Sequence, residues 1–377
     1  QAKQVIPPSP EAAELGKYGN VPVSLFTGTP NVSIPLVELK GNFLSLPVSL
    51  SYNHSGFKPD EIAPWTGLGW ALNASGVITR SVMGDPDMND NYYRFPSPLD
   101  PVPDDELLKQ MYYSSMKDKQ IETQPDIYYY NFMGKSGKFM IGPDSSIVSK
   151  EKSYLSVVRW MGPESEWIFI IIDEQGFRYE FMELEETQIN PVDDQPNAPP
   201  MVVRKFVSSW YLSKIIAPNG NEELEFEYYS PEQAQSTMSG SLTNNSITYT
   251  KSEYISIPPD VSVSYWQFFP PTTAMYTFQH SGTSIWKKYI KKATLRKNNI
   301  TIGHIDFESD INARDDLGDA DFNGERRLKT VKLYSSSNGS NTLIKVFELG
   351  YGNFGASQQE SPGFYRRLKL KTVREIS

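Results

Sequence analysis

The chain has 377 residues, enough for one large β domain or two smaller ones with a sizeable hydrophobic core. Its formal net charge of −9 gives no chain-wide positive potential to attract phosphates, which argues against a nucleic-acid binder. Zero Cys removes thiol nucleophiles, disulfides and thiolate metal sites, and no apolar run approaches the roughly 20 residues of a transmembrane segment.

The 22 Tyr and 7 Trp offset a modest hydrophobic fraction, and 25 Gly with 28 Pro, spread along the chain, point to many turns and a mostly β fold. The N-terminus opens on Gln1-Ala2-Lys3-Gln4 without Met and runs into Pro7-Pro8-Ser9-Pro10. Such a start is expected of an exported chain whose signal peptide has been removed, and the lack of Cys at position 1 excludes a lipoprotein anchor on this form. Residues 10–19 read as a short helix or turn. Val32-Ser33-Ile34-Pro35-Leu36 reads as a brief edge strand, because Pro cannot donate to a ladder.

Residues 42–84 organise the rest. Leu44, Leu46, Val48, Leu50 and Tyr52 alternate with Ser45, Pro47, Ser49 and Ser51, the period of a half-buried strand. Trp65 and Trp70 then bracket Gly67 and Gly69, a combination that predicts a packed corner: glycine permits positive φ or close backbone approach while the indoles bury large areas. A second strand follows at Val77-Ile78-Thr79-Arg80-Ser81-Val82, entered through Gly76 and left through Gly84.

The acidic loop 85–91 is rich in oxygen ligands, yet Asp90 stands where a calcium loop needs Gly and no Glu closes it, so a solvated loop is the better reading. Residues 104–119, DDELLKQMYYSSMKDK, predict a short packing helix with Leu107, Leu108, Met111, Tyr112 and Ser115 on one face. Strands resume at Ile127-Tyr128-Tyr129-Tyr130-Asn131-Phe132, turn at Gly134-Lys135-Ser136-Gly137 and return as Lys138-Phe139-Met140-Ile141. The Gly134-Lys135-Ser136 run lacks the upstream glycine and the helix of a phosphate loop.

A hairpin is predicted from Trp167-Ile168-Phe169-Ile170-Ile171-Ile172 through Gly176 to Phe177-Arg178-Tyr179-Glu180-Phe181. After the Pro-rich loop 190–200, a second runs from Trp210 to Ile216, through Pro218-Asn219-Gly220-Asn221, to Glu222 and on to Tyr228. Asn219-Gly220 is the pair that accepts two positive φ angles at least cost. Residues 230–282 read as a polar, Ser/Thr-rich insertion, followed by strands at 284–295 and 300–307. The run Lys287-Lys288-Tyr289-Ile290-Lys291-Lys292 reads as the solvated face of a strand and not as a polyanion site. The loop 314–323 offers Asp319, Asp321, Asn323 and Gly324, again a calcium-loop pattern without its closing Glu, since Thr330 stands there. A third hairpin spans 328–334 and 343–351, and Leu368 to Ile376 starts another. Leu212-Ser213-Lys214-Ile215, Leu328-Lys329-Thr330-Val331 and Leu370-Lys371-Thr372-Val373 form a loose repeat, as in a sheet built by repetition, and the protein is expected to continue past Ser377. The predicted organisation is a lead-in and edge strand over 1–40, a β-rich region over 41–230, the insertion over 231–283 and further hairpins over 284–377.

Lys17-Tyr18-Gly19-Asn20-Val21-Pro22-Val23, Leu50-Ser51-Tyr52-Asn53, Gly67-Leu68-Gly69-Trp70 with Gly76-Val77-Ile78-Thr79-Arg80, Pro125-Asp126-Ile127, Gly137-Lys138-Phe139 and Pro218-Asn219-Gly220 together resemble the N-terminal region of large secreted Rhs/YD-repeat proteins, above all those of Bacteroidota. The Gly-Leu-Gly-Trp corner after a Ser-Tyr strand is similar to the start of toxin-complex shell proteins. The resemblance implies antiparallel sheets of successive hairpins that open a hollow β shell around a C-terminal effector. It implies a secreted or cell-surface location, type IX secretion machinery as a partner beside the downstream part of the same chain, and a structural role for Trp65, Gly67, Gly69, Trp70, Gly76, Asn219 and Gly220. Two departures stand out: the hairpins lack dense Tyr-Asp spacing, and no toxin segment lies within these residues.

No catalytic residue, cofactor site or metal site is predicted. His54, His280 and His304 sit in no nucleophile or metal motif, and His54 reads as a turn residue. A carboxylate pair separated in sequence is a chemistry that no motif search excludes. The alternative is a surface carbohydrate-binding protein that uses exposed aromatics, with Tyr249 to Tyr276 as the stretch to test.

Overall fold

The structure, a computed structural model, describes residues 28–30, 32–54, 56, 61–83, 86–87, 125–142, 146–149, 155–161, 167–192, 204–229, 242–254, 273–311, 314, 316, 325–337, 339–354 and 366–376. The lead-in over 1–27, the helix expected over 104–119 and most of both acidic loops lie outside these residues. Among the described residues every regular element is a strand, so no helix is long and apolar enough to cross a membrane.

The alternating segment builds a small antiparallel sheet, in which β1 (Val32–Lys40) pairs with β2 (Ser45–Tyr52) and β2 with β3 (Trp70–Asn73). Leu46, Val48 and Leu50 are at most 1% exposed, as the period-2 pattern requires. β1 is the edge, and its register slips between Pro35 and Val37, where the proline removes a donor.

The remaining strands form one antiparallel sheet of 16 strands: β4 (Gly76–Ser81), β5 (Ile127–Phe132), β6 (Lys135–Ile141), β7 (Ile147–Ser149), β8 (Ser156–Met161), β9 (Trp167–Ile172), β10 (Arg178–Val192), β11 (Arg204–Ile216), β12 (Glu222–Tyr229), β13 (Leu242–Tyr254), β14 (Thr273–Trp286), β15 (Tyr289–Lys297), β16 (Ile300–Ile311), β17 (Arg326–Ser337), β18 (Ser340–Phe354) and β19 (Arg367–Ile376). Neither sheet closes into a barrel. The segment read as an insertion over 231–283 carries the paired strands β13 and β14, and β14 pairs in turn with β10.

The large sheet branches at its two central strands. Opposite β10, β11 pairs with β4 through Ser209 to Tyr211 and with β12 through Lys214 to Ile216. Opposite β11, β10 pairs with β9 through Arg178 to Phe181 and with β14 from Glu186 onward. The limbs therefore part near Glu185 and Tyr211, and a cleft opens there.

One limb is a ladder in the order β11-β12-β15-β16-β17-β18-β19 with a register-shifting bulge in every pairing from β12–β15 to β18–β19. Ser213 is the extra residue in β11, opposite β10, Lys291 in β15, Ile302 in β16, Lys329 in β17, Ile344 in β18 and Lys371 in β19. Three of these occupy the second position of the loose repeat seen in the sequence. In a regular strand residues i and i+3 point to opposite faces; the bulge puts both into the core. Leu212 with Ile215, Ile290 with Ala293 and Leu328 with Val331 are accordingly all buried.

The shared core is aromatic. Phe132, Phe139, Phe169, Phe181 and Phe307 are each at most 1% exposed. Tyr128 stacks on Phe139 at 5.2 Å between centroids, and Phe169 meets Trp210 edge-on at 5.0 Å. Burial of each such side chain contributes about 1.5–3 kcal/mol.

Turn chemistry departs from expectation at two hairpins. At Asn219-Gly220 only Gly220 has positive φ (70°), because Pro218 fixes a negative φ at the preceding corner; the turn is held by Gly220 N–H donating to Ala217 O at 2.9 Å. Two successive positive φ angles occur instead at Met133-Gly134 (46° and 76°) and Asn298-Asn299 (49° and 63°). The β5–β6 turn is thus two residues long, and Lys135 already belongs to β6, so the turn predicted over 134–137 begins one residue early and ends sooner.

Candidate functional site

The corner is a sequence of tight turns. Gly67 N–H donates to Pro64 O at 2.9 Å and Trp70 N–H to Gly67 O at 3.0 Å, while the fully buried Thr66 hydroxyl donates to Trp70 O at 2.6 Å. Gly67 and Gly69 take φ of 99° and 77°. A Cβ on Gly67 would lie 2.8 Å from the Leu370 nitrogen, and one on Gly69 2.6 Å from the Tyr52 ring. Trp70 packs on Tyr52 and Trp65 on Tyr289, each at 5.2 Å.

From this corner the chain reaches its far end. Leu68 N–H donates to Leu368 O in β19 at 2.8 Å, and Trp65 O accepts from Leu328 N–H in β17 at 3.0 Å and from the Tyr351 hydroxyl in β18 at 3.5 Å. Trp65, Gly67, Gly69 and Trp70 are thus brought together at one corner, where Trp65 and Gly67 meet the last three strands and Gly69 and Trp70 pack on Tyr52 of β2. Gly76 starts β4 with its backbone pressed on Phe132. Asn219 and Gly220 lie apart, at the exposed tip of the β11–β12 hairpin, where the Asn219 side chain accepts from Asn221 N–H at 3.0 Å.

Three buried polar clusters that support this arrangement carry no motif. Arg314 donates to Asp316 at 2.7 Å and 3.0 Å and to Ala63 O at 2.8 Å, and Asp316 also accepts from Leu368 N–H at 3.1 Å. The pair pins the loop leading into the corner to the start of β19. Arg80 and Asp126 form a second buried pair at 2.6 Å, with Met83 N–H and Asp87 N–H also donating to Asp126. Glu222 accepts from the backbone N–H groups of Asn42, Phe43 and Leu44 at 2.7–3.1 Å and so clips the β1–β2 turn to β12. Burial by itself pushes the Glu222 carboxyl up, but the three amide donors prevail and hold it below its ordinary value. Of these residues only Arg80 and Asp126 fell within stretches the sequence singled out for family likeness.

Beside the corner, where the sheet limbs part, lies a cavity of about 350 Å³. Trp65, Glu185, Tyr211, Lys288, Tyr289 and Glu325 are among its walls. Glu325 accepts from the Tyr289 hydroxyl at 2.6 Å and from Lys287 at 3.0 Å. Glu185 accepts from the Tyr211 hydroxyl at 3.1 Å and from Ser209 at 3.0 Å. Burial first, and then the adjacent carboxylates, push both phenols well above their ordinary range, so both stay protonated donors. Lys288 donates to Glu183 at 3.0 Å. Two residues of the basic run therefore serve as half-buried partners of carboxylates.

Neither imidazole whose side chain is described faces this cavity. His54 meets Glu61 at 3.1 Å, and the buried His304 stacks on Tyr334 at 4.6 Å. Burial, aided by Lys292, lowers the His304 pKa. Among the described residues no group of three or more His, Asp or Glu side chains is placed to hold a metal ion.

The chain is similar in structure to the N-terminal domain of effector protein SpvB from Salmonella typhimurium strain LT2, with a TM-score of 0.43 and 11% identity over 92% of this chain and 98% of that one. No protein-family model and no curated protein matches the chain.

Proposed function

We propose that this chain is a non-catalytic structural module at the N-terminus of a secreted or surface Rhs/YD-repeat protein, where it starts a β shell that encloses or presents an effector. One observation carries the reading. The ladder from β11 to β19 carries bulges on β11, β15, β16, β17, β18 and β19, and a bulge bends its strand and raises the local twist. Repeated along a ladder, bulges are a device that curves an antiparallel sheet, as a shell requires.

The corner supports the same role, since its backbone bonds to β17 and β19 hold the opening segment on the ladder. On this reading the partner is the downstream part of the same polypeptide, added hairpin by hairpin beyond β19, and export runs through type IX secretion machinery. The coding sequence after Ser377 tests it. A continuation into hairpins that carry an apolar residue, a bulge and a second apolar residue three positions on is the expected result. A stop codon directly after Ser377, or a continuation without such hairpins, overturns it.

A further inference from the structure

The cleft at the branch point serves no purpose in a shell, and its chemistry suits a small ligand. Leu72, Ser75 and Tyr211 line both this cavity and a second hollow of about 680 Å³ beneath β3, so the two adjoin in one elongated depression. Small-molecule sites typically measure about 300–1,000 Å³. The ionisable side chains of the 350 Å³ part are Glu185 and Glu325 against Lys287 and Lys288, and the tyrosines beside the carboxylates are neutral. Two acids facing two bases give no net pull on an anion or a cation. What remains is a mixture of donors and acceptors beside the half-buried indole of Trp65 and the aliphatic walls of Leu72 and Ile290.

A ring with hydroxyls on its rim and C–H groups on its faces matches that mixture. An extended peptide matches it less well, because the backbone left without a second neighbour at the branch comes in short pieces on different strands, residues 182–185 of β10, 212–213 of β11 and 226–229 of β12, and forms no continuous edge for strand addition. We propose that the cleft binds a neutral oligosaccharide, with Glu185 and Lys288 bonding its hydroxyls and Trp65 packing on a ring face. The proposal is independent of the shell reading and of the aromatics of the 249–276 stretch.

The experiment titrates the 377-residue chain with maltotriose, cellotriose, xylotriose and chitotriose, read by calorimetry and tryptophan fluorescence at low and high salt. The expected result is binding of at least one trisaccharide with an affinity that salt leaves unchanged. Lys288→Met and Glu185→Gln should each weaken it about tenfold, the loss of roughly one good hydrogen bond. Glu174→Gln, an exposed site at a distant turn, should leave it unchanged. Should Glu185→Gln fail to fold, Lys288→Met decides alone. Absence of binding to all four sugars, binding indifferent to Lys288→Met, or binding confined to heparin fragments or to an unrelated decapeptide overturns the proposal.

Discussion

Gly69 and Gly220 share a backbone conformation, φ of 77° and 70°, but not an environment. A Cβ at Gly220 meets nothing within 4 Å, whereas at Gly69 it meets the Tyr52 ring at 2.6 Å and the His54 Cβ at 2.9 Å. Left-handed backbone costs an L-residue about 1–2 kcal/mol at either site. At Gly69 the overlap adds about 1–3 kcal/mol, because both neighbours are fixed, Tyr52 by Trp70 and His54 by Glu61. Gly69→Ala is therefore expected to lower unfolding free energy by about 2–5 kcal/mol and Gly220→Ala by about 1–2 kcal/mol, measured by urea denaturation. Equal losses would show that the corner is held no more tightly than an exposed hairpin tip.

Among the elements, strands were legible where their pattern is local: β2 follows its alternation and β9 its continuous apolar run. The L-x-x-[IV] repeat was legible as a likeness, but its cause was not, because i and i+3 spacing belongs to no regular strand; it becomes intelligible once Ser213, Lys329 and Lys371 are found as the extra residues of bulges. The turn at Met133-Gly134 went unread because its first residue is not a usual left-handed one. The cleft was illegible for another reason: Glu185, Tyr211 and Tyr289 come from β10, β11 and β15 and Glu325 from just before β17, places far apart in sequence that only the fold brings together. The bulge reading makes a register prediction. Deleting Lys329 should either turn one of Leu328 and Val331 out of the core or slip the β16–β17 pairing, since both are now fully buried. The expected loss is about 2–5 kcal/mol, the range for removing one large core side chain. Lys329→Ala, which keeps the bulge and trims only an exposed side chain, should cost less than about 0.5 kcal/mol. Denaturant midpoints of the two variants, with amide exchange of β17, separate these outcomes, and similar midpoints would mean that the extra residue has no role in register.

At the scale of the molecule, early and late segments hold each other in place. The loop before the corner is bonded to Arg314, the corner to Leu328 and Leu368, and the β1–β2 turn to Glu222. Contacts so distant in sequence are entropically costly to form one at a time, so they favour joint formation. The small sheet also shares its hydrophobic core with the large one: Leu46 and Leu50 belong to the same cluster as Phe307 and Leu328. Unfolding of the two sheets is accordingly expected to be a single event. Tryptophan fluorescence, to which all 7 Trp contribute, among them Trp65 and Trp70 at the corner and the buried Trp210, should change together with far-UV circular dichroism, which reports all strands, in one urea transition. Gly67→Val, which drives a side chain into the backbone of β19, should move both curves to lower urea by the same amount and lower amide-exchange protection at Leu328 and Leu368 alike. If instead fluorescence shifts while circular dichroism stays put, the corner is a local ornament on a ladder that folds without it, and the role assigned to the opening segment in starting that ladder fails.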